Sequence, residues 1–342
     1  MTTQMTSMAN DIATRFWLAA TTSHTITVSL ATLGGLWATC QLYQLASFTH
    51  LNLLHQTTIG RYAARSRDGR PTTWALVTGG SDGIGKGFAE ELCQRGFNVI
   101  LHGRNEKKLD GVKAELERQW PKSEIKIIVF DASSGFKEGS EKLEAVVGEI
   151  KALNITVLIN NLGGGPFPSY MPLGEHSAAR MREFIDVNAT FTTDITRLMI
   201  PVLAKRSSAL VMTVGSFVGA IGAPYVSIYS AVKAYGETLT RALHIEMKAE
   251  KLPIEVIHLQ VGMVQTGREA ARKVSFLIPS SRQLAASALA KVGCGLSVVT
   301  PYWPHAVQFN GMMSLPGWLM ERMLLNMVSE ERKTEQEALK KQ

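Results

Sequence analysis

Charge is what the first part of this chain lacks. Between Phe16 and Gly60 there is no Asp, Glu, Lys or Arg. A helix on the surface of a water-soluble domain carries charge on its outer face, so that role is excluded for this stretch. Cysteine is scarce too: Cys40, Cys93 and Cys294 stand far apart among 342 residues. That spacing fits no disulfide framework or zinc ligand set and suits a reducing compartment. The eight histidines form no His-Glu-x-x-His pair or comparable spacing, so no metal is expected. The net charge of +7 is modest and partly gathered in one short stretch. It points to a membrane surface and not to nucleic acid.

What is present, 45% hydrophobic and 19% charged residues, suffices for one large α/β domain with residues left over. Within the charge-free stretch, Ile26 to Phe48 is long enough to cross a hydrocarbon core of about 30 Å as a helix. Thr, Ser and Gln dilute its hydropathy, so a helix lying in the interface is the competing reading. A cleaved signal peptide fits less well, because no basic n-region or small-residue cleavage site precedes it. Arg61, Arg65, Arg67 and Arg70 follow, and by the positive-inside rule they face the cytosol with everything after them.

At Thr73 the pattern changes. Trp74-Ala75-Leu76-Val77 reads as a buried strand. Thr78-Gly79-Gly80-Ser81-Asp82-Gly83-Ile84-Gly85 follows as a glycine turn, and then an amphipathic helix from Lys86 to Arg95. Strand, glycine turn and helix form the setting of a dinucleotide fingerprint, in which a pyrophosphate rests on the helix N-terminus. A second strand, 98–102, ends at Gly103-Arg104-Asn105. An arginine at this tip accommodates a 2′-phosphate, so Arg104 favours NADP(H) over NAD(H); a solvated arginine opening a charged helix is the plainer alternative. A third strand, 126–130, ends at Asp131, near the adenine edge. A fourth, 156–159, runs into Asn160-Asn161-Leu162-Gly163-Gly164-Gly165, whose flexible backbone allows close approach to a nicotinamide ribose. Glu183 to Leu203 reads as one long helix with Asn188 in a mainly apolar stripe.

The apolar run Ala209 to Val214 reads as a buried parallel strand and delivers Ser216 to the edge where open α/β sheets bind ligands. Tyr229 and Lys233 stand four apart in a helical run, so both leave one face. A free phenol, with a pKa of about 10, is a poor acid or base at neutral pH; a neighbouring ammonium favours the phenolate. Hydroxyl, phenol and ammonium together polarise and protonate a carbonyl oxygen while hydride reaches the carbon. A Tyr-x-x-x-Lys pair alone is common on solvated helix faces; the upstream serine and glycine turn are what make this one chemical.

These motifs resemble the short-chain dehydrogenase/reductase family: the Thr-Gly-x-x-x-Gly-x-Gly turn at 78–85, the Asn-Asn-x-Gly turn at 160–163, Tyr229-x-x-x-Lys233, and Ser216 thirteen residues before Tyr229. Ser81 to Lys86, Gly215-Ser216-Phe217, the apolar N-terminal segment with its basic linker, and Trp303 to Ala306 are similar to the microsomal very-long-chain 3-oxoacyl-CoA reductases. They are also similar to the related 17β-hydroxysteroid dehydrogenases. The resemblance implies a Rossmann-type doubly wound parallel sheet in the α/β class, here with an N-terminal transmembrane helix. It implies a catalytic set of Asn188, Ser216, Tyr229 and Lys233, with Tyr229 as proton donor and Ser216 orienting the carbonyl. Lys233 would lower the Tyr229 pKa and hold the ribose, and Asn188 would keep a water in the proton relay. The cofactor would meet Thr78, Gly79, Ser81, Asp82, Gly83, Ile84, Gly85, Arg104, Asp131, Asn161, Tyr229, Lys233, Val264 and Thr266. Two departures bear on the substrate: Gln260-Val261-Gly262 stands where the family often has Pro-Gly, and Gly163 to Gly165 followed by Pro166 replaces a single glycine.

The expected organisation is an N-terminal tail (1–25), a transmembrane helix (26–48), a basic linker (49–72) and an NADP-binding Rossmann domain (73–273). A substrate-binding or membrane-associated region (274–328) and a charged, solvated tail (329–342) complete it. The region 274–328 is rich in aromatics and methionine, which line pockets for long apolar substrates; core and dimer packing is the equal alternative, so a homodimer stays open. Lys340-Lys341 is offset by one position from a dilysine retrieval signal. The expected activity is NADPH-dependent reduction of a lipophilic ketone at the cytosolic face of the endoplasmic reticulum, with a 3-oxoacyl-CoA of fatty-acid elongation as substrate. A steroid or specialised-metabolite ketone is the rival substrate, and a non-catalytic membrane scaffold the rival role.

Overall fold

The computed structural model describes residues 2–165, 169–267 and 273–340, the side chains at 2–10, 20 and 134–139 excepted. Pro166 and Lys341 therefore lie outside the described residues. Two units make up the chain, Met1–His55 and Gln56–Gln342.

The first unit is helix α1 (Thr2–Thr49), closed by a π-helical turn at His50–Leu54. The segment expected to be a separate tail and span is thus one continuous helix, with no proline to interrupt it. Its large apolar side chains, Phe16, Trp17, Leu30, Leu36, Trp37 and Tyr43 among them, are exposed. No helix among the described residues is long and apolar enough to cross a membrane, so the structure does not bear out the transmembrane expectation at 26–48. The cause is its Thr, Ser, Gln and His content. Yet the hydroxyls of Thr21, Thr22, Thr25, Thr27, Thr32 and Thr39 each donate to a carbonyl three or four residues back, so their polarity is spent inside the helix.

The second unit is built on a parallel sheet of β1 (Trp74–Thr78), β2 (Asn98–Gly103), β3 (Ile125–Val129), β4 (Ile155–Asn160), β5 (Ala209–Val214), β6 (Ile254–Leu259) and β7 (Val298–Val299). The strand order is β3-β2-β1-β4-β5-β6-β7, the doubly wound arrangement. The central strands are buried along their whole length because helices cover both faces. Ala75, Val77, Leu210 and Met212 feed the core on one face, and Trp74, Leu76, Ala209 and Val211 the core on the other. The order reverses between β1 and β4, so the connections leave their carboxyl ends toward opposite faces of the sheet, the place where such sheets open a crevice.

Helices α2 (Gly83–Gln94), α3 (Glu106–Gln119) and α4 (Gly135–Ile150) follow the first three strands. The single helix expected over 183–203 is instead α5 (Ala178–Ile185), a π-turn at Asp186–Thr190, and α6 (Phe191–Leu203). Asn188 explains the break: its Nδ2 donates to the Phe184 carbonyl, 2.9 Å away, in competition with the backbone ladder. Next come α7 (Phe217–Ile221) and α8 (Ser227–Ala249). Helices α9 (Ser281–Leu289), α10 (Trp303–Met313) and α11 (Gly317–Lys340) complete the unit. The charged end expected as a solvated tail continues α11 to Lys340.

Candidate active site

Strand ends deliver the first cluster of crevice residues. Beyond β1, Gly79 and Gly83 turn the chain at φ +65° and +53°, values that glycine adopts freely. A side chain on Gly85 would overlap the Gly79 carbonyl oxygen, so helix and turn meet only because both are glycine. Asp82 caps α2, its Oδ1 accepting from Gly83 N at 2.6 Å. The Gly80 amide donates to the His102 carbonyl (2.9 Å), fixing the turn beside the tip of β2. There Ser81 Oγ would lie 3.5 Å from a Cβ on Gly103, next to exposed Arg104. Asp131, also exposed, closes this edge. Partial burial opposes its ionisation. The Ser133 amide and hydroxyl and the Arg104 charge outweigh that, holding its carboxyl below the ordinary value.

The turn is stitched to β4. Thr78 Oγ1 accepts from the amides of Asn161 and Leu162, both at 3.0 Å, and Asn161 Nδ2 donates to the Thr78 carbonyl at 3.0 Å. On the other flank Thr266 touches Gly83: an added Cβ there would come within 3.2 Å of the Thr266 side chain. Val264 is buried just before it. The fingerprint residues are therefore brought around one glycine-lined cradle. A phosphate group fits such a cradle, since bare backbone and the α2 N-terminus face it.

The second cluster joins β4, the π-turn, β5 and α8. Lys233 is buried on α8 and its Nζ donates to the Val214 carbonyl, 3.0 Å away, where β5 ends. The same Nζ lies 5.5 Å from the centre of the Tyr229 ring, the geometry expected of residues one helical turn apart. Burial pulls the Lys233 ammonium down to about 8. Ser216, two residues past β5, is half-buried at the N-cap of α7 and spends no side-chain bond on capping. Helix α7 presses on α8 at Gly219, where a Cβ would meet the Lys233 backbone carbonyl carbon at 2.8 Å.

Asn188 reaches the same place. Its Oδ1 accepts from Gly164 N (3.0 Å) and its Nδ2 donates to the Gly164 carbonyl (2.7 Å). Gly163 lies against both polar groups: a Cβ there would sit 2.8 Å from Lys233 Nζ and 2.9 Å from Asn188 Oδ1. The glycine of the Asn-Asn-x-Gly turn is thus required by the catalytic side as much as by the cofactor side.

Other contributors have no sequence motif. Behind β5, Gly215 packs on the buried His258 ring, which burial pushes down to about 4. His305 is fully buried. Its Nδ1 accepts from Gly262 N at 3.2 Å, and its Nε2 meets the Met263 and Leu277 carbonyls at 3.1 Å, so the loop after β6 is tied to α10 without the family's proline. Tyr225, four residues before Tyr229, holds φ at +63°. For a bulky side chain that conformation costs about 1–3 kcal/mol and persists only when its surroundings impose it.

A doubly wound sheet with a phosphate cradle at its switch point and a buried lysine beside a tyrosine defines a dinucleotide-dependent oxidoreductase. The chain belongs to the short-chain dehydrogenase family, whose model matches residues 73–274. The very-long-chain 3-oxoacyl-CoA reductase of Neurospora crassa is 36% identical over 246 residues, covering 70% of this chain and 72% of that protein. The enzyme of that name from Mycosarcoma maydis is 32% identical over 309 residues, 86% of each chain. Among solved structures, a 7beta-hydroxysteroid dehydrogenase superposes with a TM-score of 0.65 at 19% identity, covering 74% of this chain and 96% of that one. A short-chain dehydrogenase from Sphingobium yanoikuyae in complex with NADPH gives 0.58 at 23% identity, with 71% and 96% covered. At these identities the structural likeness speaks for the fold.

Proposed function

We propose that the chain is an NADPH-dependent reductase of the 3-oxoacyl-CoA intermediates of fatty-acid elongation, held at the endoplasmic reticulum membrane with its catalytic unit in the cytosol. The observation that carries the chemistry is Lys233, buried with its ammonium on the Val214 carbonyl and 5.5 Å from the Tyr229 ring. Thr78 to Gly85, Asn161, Val264 and Thr266 would hold the dinucleotide, and Arg104 beside Ser81 would receive its 2′-phosphate. The bound dinucleotide supplies the hydride. Tyr229 gives its proton to the ketone oxygen and Ser216 donates a hydrogen bond to that same oxygen. Lys233 stabilises the phenolate left behind, which is why an ammonium is kept beside it despite the cost of burial. Asn188 fixes the Gly163-Gly164 backbone against Lys233, so the ammonium and the β4 turn keep one spacing.

The substrate class is supported by the names of relatives 32–36% identical over most of the chain. The membrane reading is supported by α1, a helix without charge from Phe16 onward, with exposed apolar side chains and internally bonded hydroxyls. Purified protein given NADPH and a panel of 3-oxoacyl-CoAs, a steroid ketone and a polyketide ketone should oxidise cofactor fastest with the acyl-CoAs. Tyr229→Phe should lower that rate by about 10²- to 10⁴-fold. Turnover of the steroid or polyketide alone would overturn the substrate assignment, and a Tyr229→Phe enzyme of full activity would remove Tyr229 from its role.

A further inference from the structure

The far end of α11 reaches the 169–170 backbone and the turn that precedes α8. Leu324 and Val328 are buried on one face of this helix, and Arg332 and Glu335 continue the same stripe at helical spacing. Where the stripe turns from apolar to charged, it stops packing on core and starts holding loops. Glu335 Oε1 accepts from the Ser169 amide at 2.7 Å, and Oε2 accepts from the Tyr170 amide at 3.0 Å. One carboxylate thus pins two successive backbone donors just beyond the Gly163–Gly165 turn. The next amide, Met171 N, donates to the Tyr225 carbonyl at 2.9 Å. The Tyr225 ring in turn lies under the Arg332 guanidinium, 4.4 Å from carbon to ring centre. Two residues later α8 begins, carrying Tyr229 and Lys233.

We propose that Glu335 and Arg332 are positioning residues: they clamp the 169–171 segment and the left-handed Tyr225 turn, and so shape the ketone site from the C-terminal helix. The geometry forms a closed chain of contacts, from Glu335 to the 169–171 backbone, to Tyr225, to Arg332 and back along one helical turn of α11. Among the described residues the bonds of Glu335 and the ring contact of Arg332 go to 169, 170 and 225 and not to the phosphate cradle, so the clamp acts on substrate and leaves dinucleotide binding alone. This takes the ketone-reducing reading as its premise.

The test uses the full chain and two variants, Glu335→Ala and Glu335→Gln. A carboxylate accepting two amides is a charge-assisted pair, so its loss should speed amide exchange at 169–171 by at least about tenfold. The ketone KM should rise about tenfold in Glu335→Ala and less in Glu335→Gln, which keeps one acceptor oxygen. NADPH affinity and exchange in the central strands should stay at the wild-type level. Unchanged exchange at 169–171 would overturn the clamp, as would faster exchange with an unchanged KM. A joint loss of melting temperature, NADPH affinity and KM would reduce Glu335 to a structural residue and also overturn it. If the wild type turns over no ketone, the functional reading fails, while the exchange measurement still decides whether the clamp exists.

Discussion

Lys233 is the costliest residue in the site. Burial lowers its pKa from 10.5 to about 8, so its charge works against folding below pH 8, by on the order of 3 kcal/mol. That cost disappears as pH rises from 8 toward 10.5, where the unfolded chain alone keeps the proton. His102 and His258 act at the acid end. Both are buried, and burial pushes both from 6.5 to about 4. A depressed folded pKa means stability that is whole above pH 6.5 and is lost as pH falls toward 4. At pH 5 each ring should cost on the order of 2 kcal/mol. His102 is stacked 4.9 Å from Phe191, so an apolar replacement suits its surroundings. The melting temperature should therefore fall steeply between pH 7 and pH 5, and His102→Leu should shrink that fall when both proteins are followed by calorimetry.

At the scale of elements, two glycines separate the functions of the turns. Gly85→Ala drives a methyl into the Gly79 carbonyl and should abolish NADPH binding measured by fluorescence titration. Gly163→Ala meets instead the movable end of Lys233 at 2.8 Å. It should weaken NADPH binding far less than Gly85→Ala does and lower kcat about tenfold by shifting the ammonium. The alternation of apolar strands with glycine turns was readable because buried parallel strands are continuous apolar runs; β5, expected at Ala209 to Val214, has those bounds. Asn188 was readable as a polar residue in a helix. The π-turn it causes was not, because it depends on a carbonyl at 184 and a loop at 164 arriving together. Arg332 and Glu335 looked like solvated charge for a similar reason. Nothing local distinguishes a carboxylate facing water from one facing two amides far away in sequence, such as those of Ser169 and Tyr170.

On the scale of the whole molecule, the division at His55 separates two kinds of surface. Unit 56–342 contains the sheet and every candidate site residue, whereas unit 1–55 is helix with large apolar side chains exposed along it. The fragment 56–342 should fold and reduce ketone in free solution. The full chain should float with phosphatidylcholine vesicles in a density gradient, and the fragment should stay at the bottom. Equal flotation of the two would place the membrane contact in the second unit.

Strand order has a consequence for synthesis. From β1 the sheet grows first through β2 to β3 on one side, then through β4, β5, β6 and β7 on the other. Each strand leaving the ribosome finds its neighbour already waiting on an open edge, and none has to be threaded between two formed strands. Assembly can keep pace with translation, and the exposed apolar surface of α1 emerges before any of it begins.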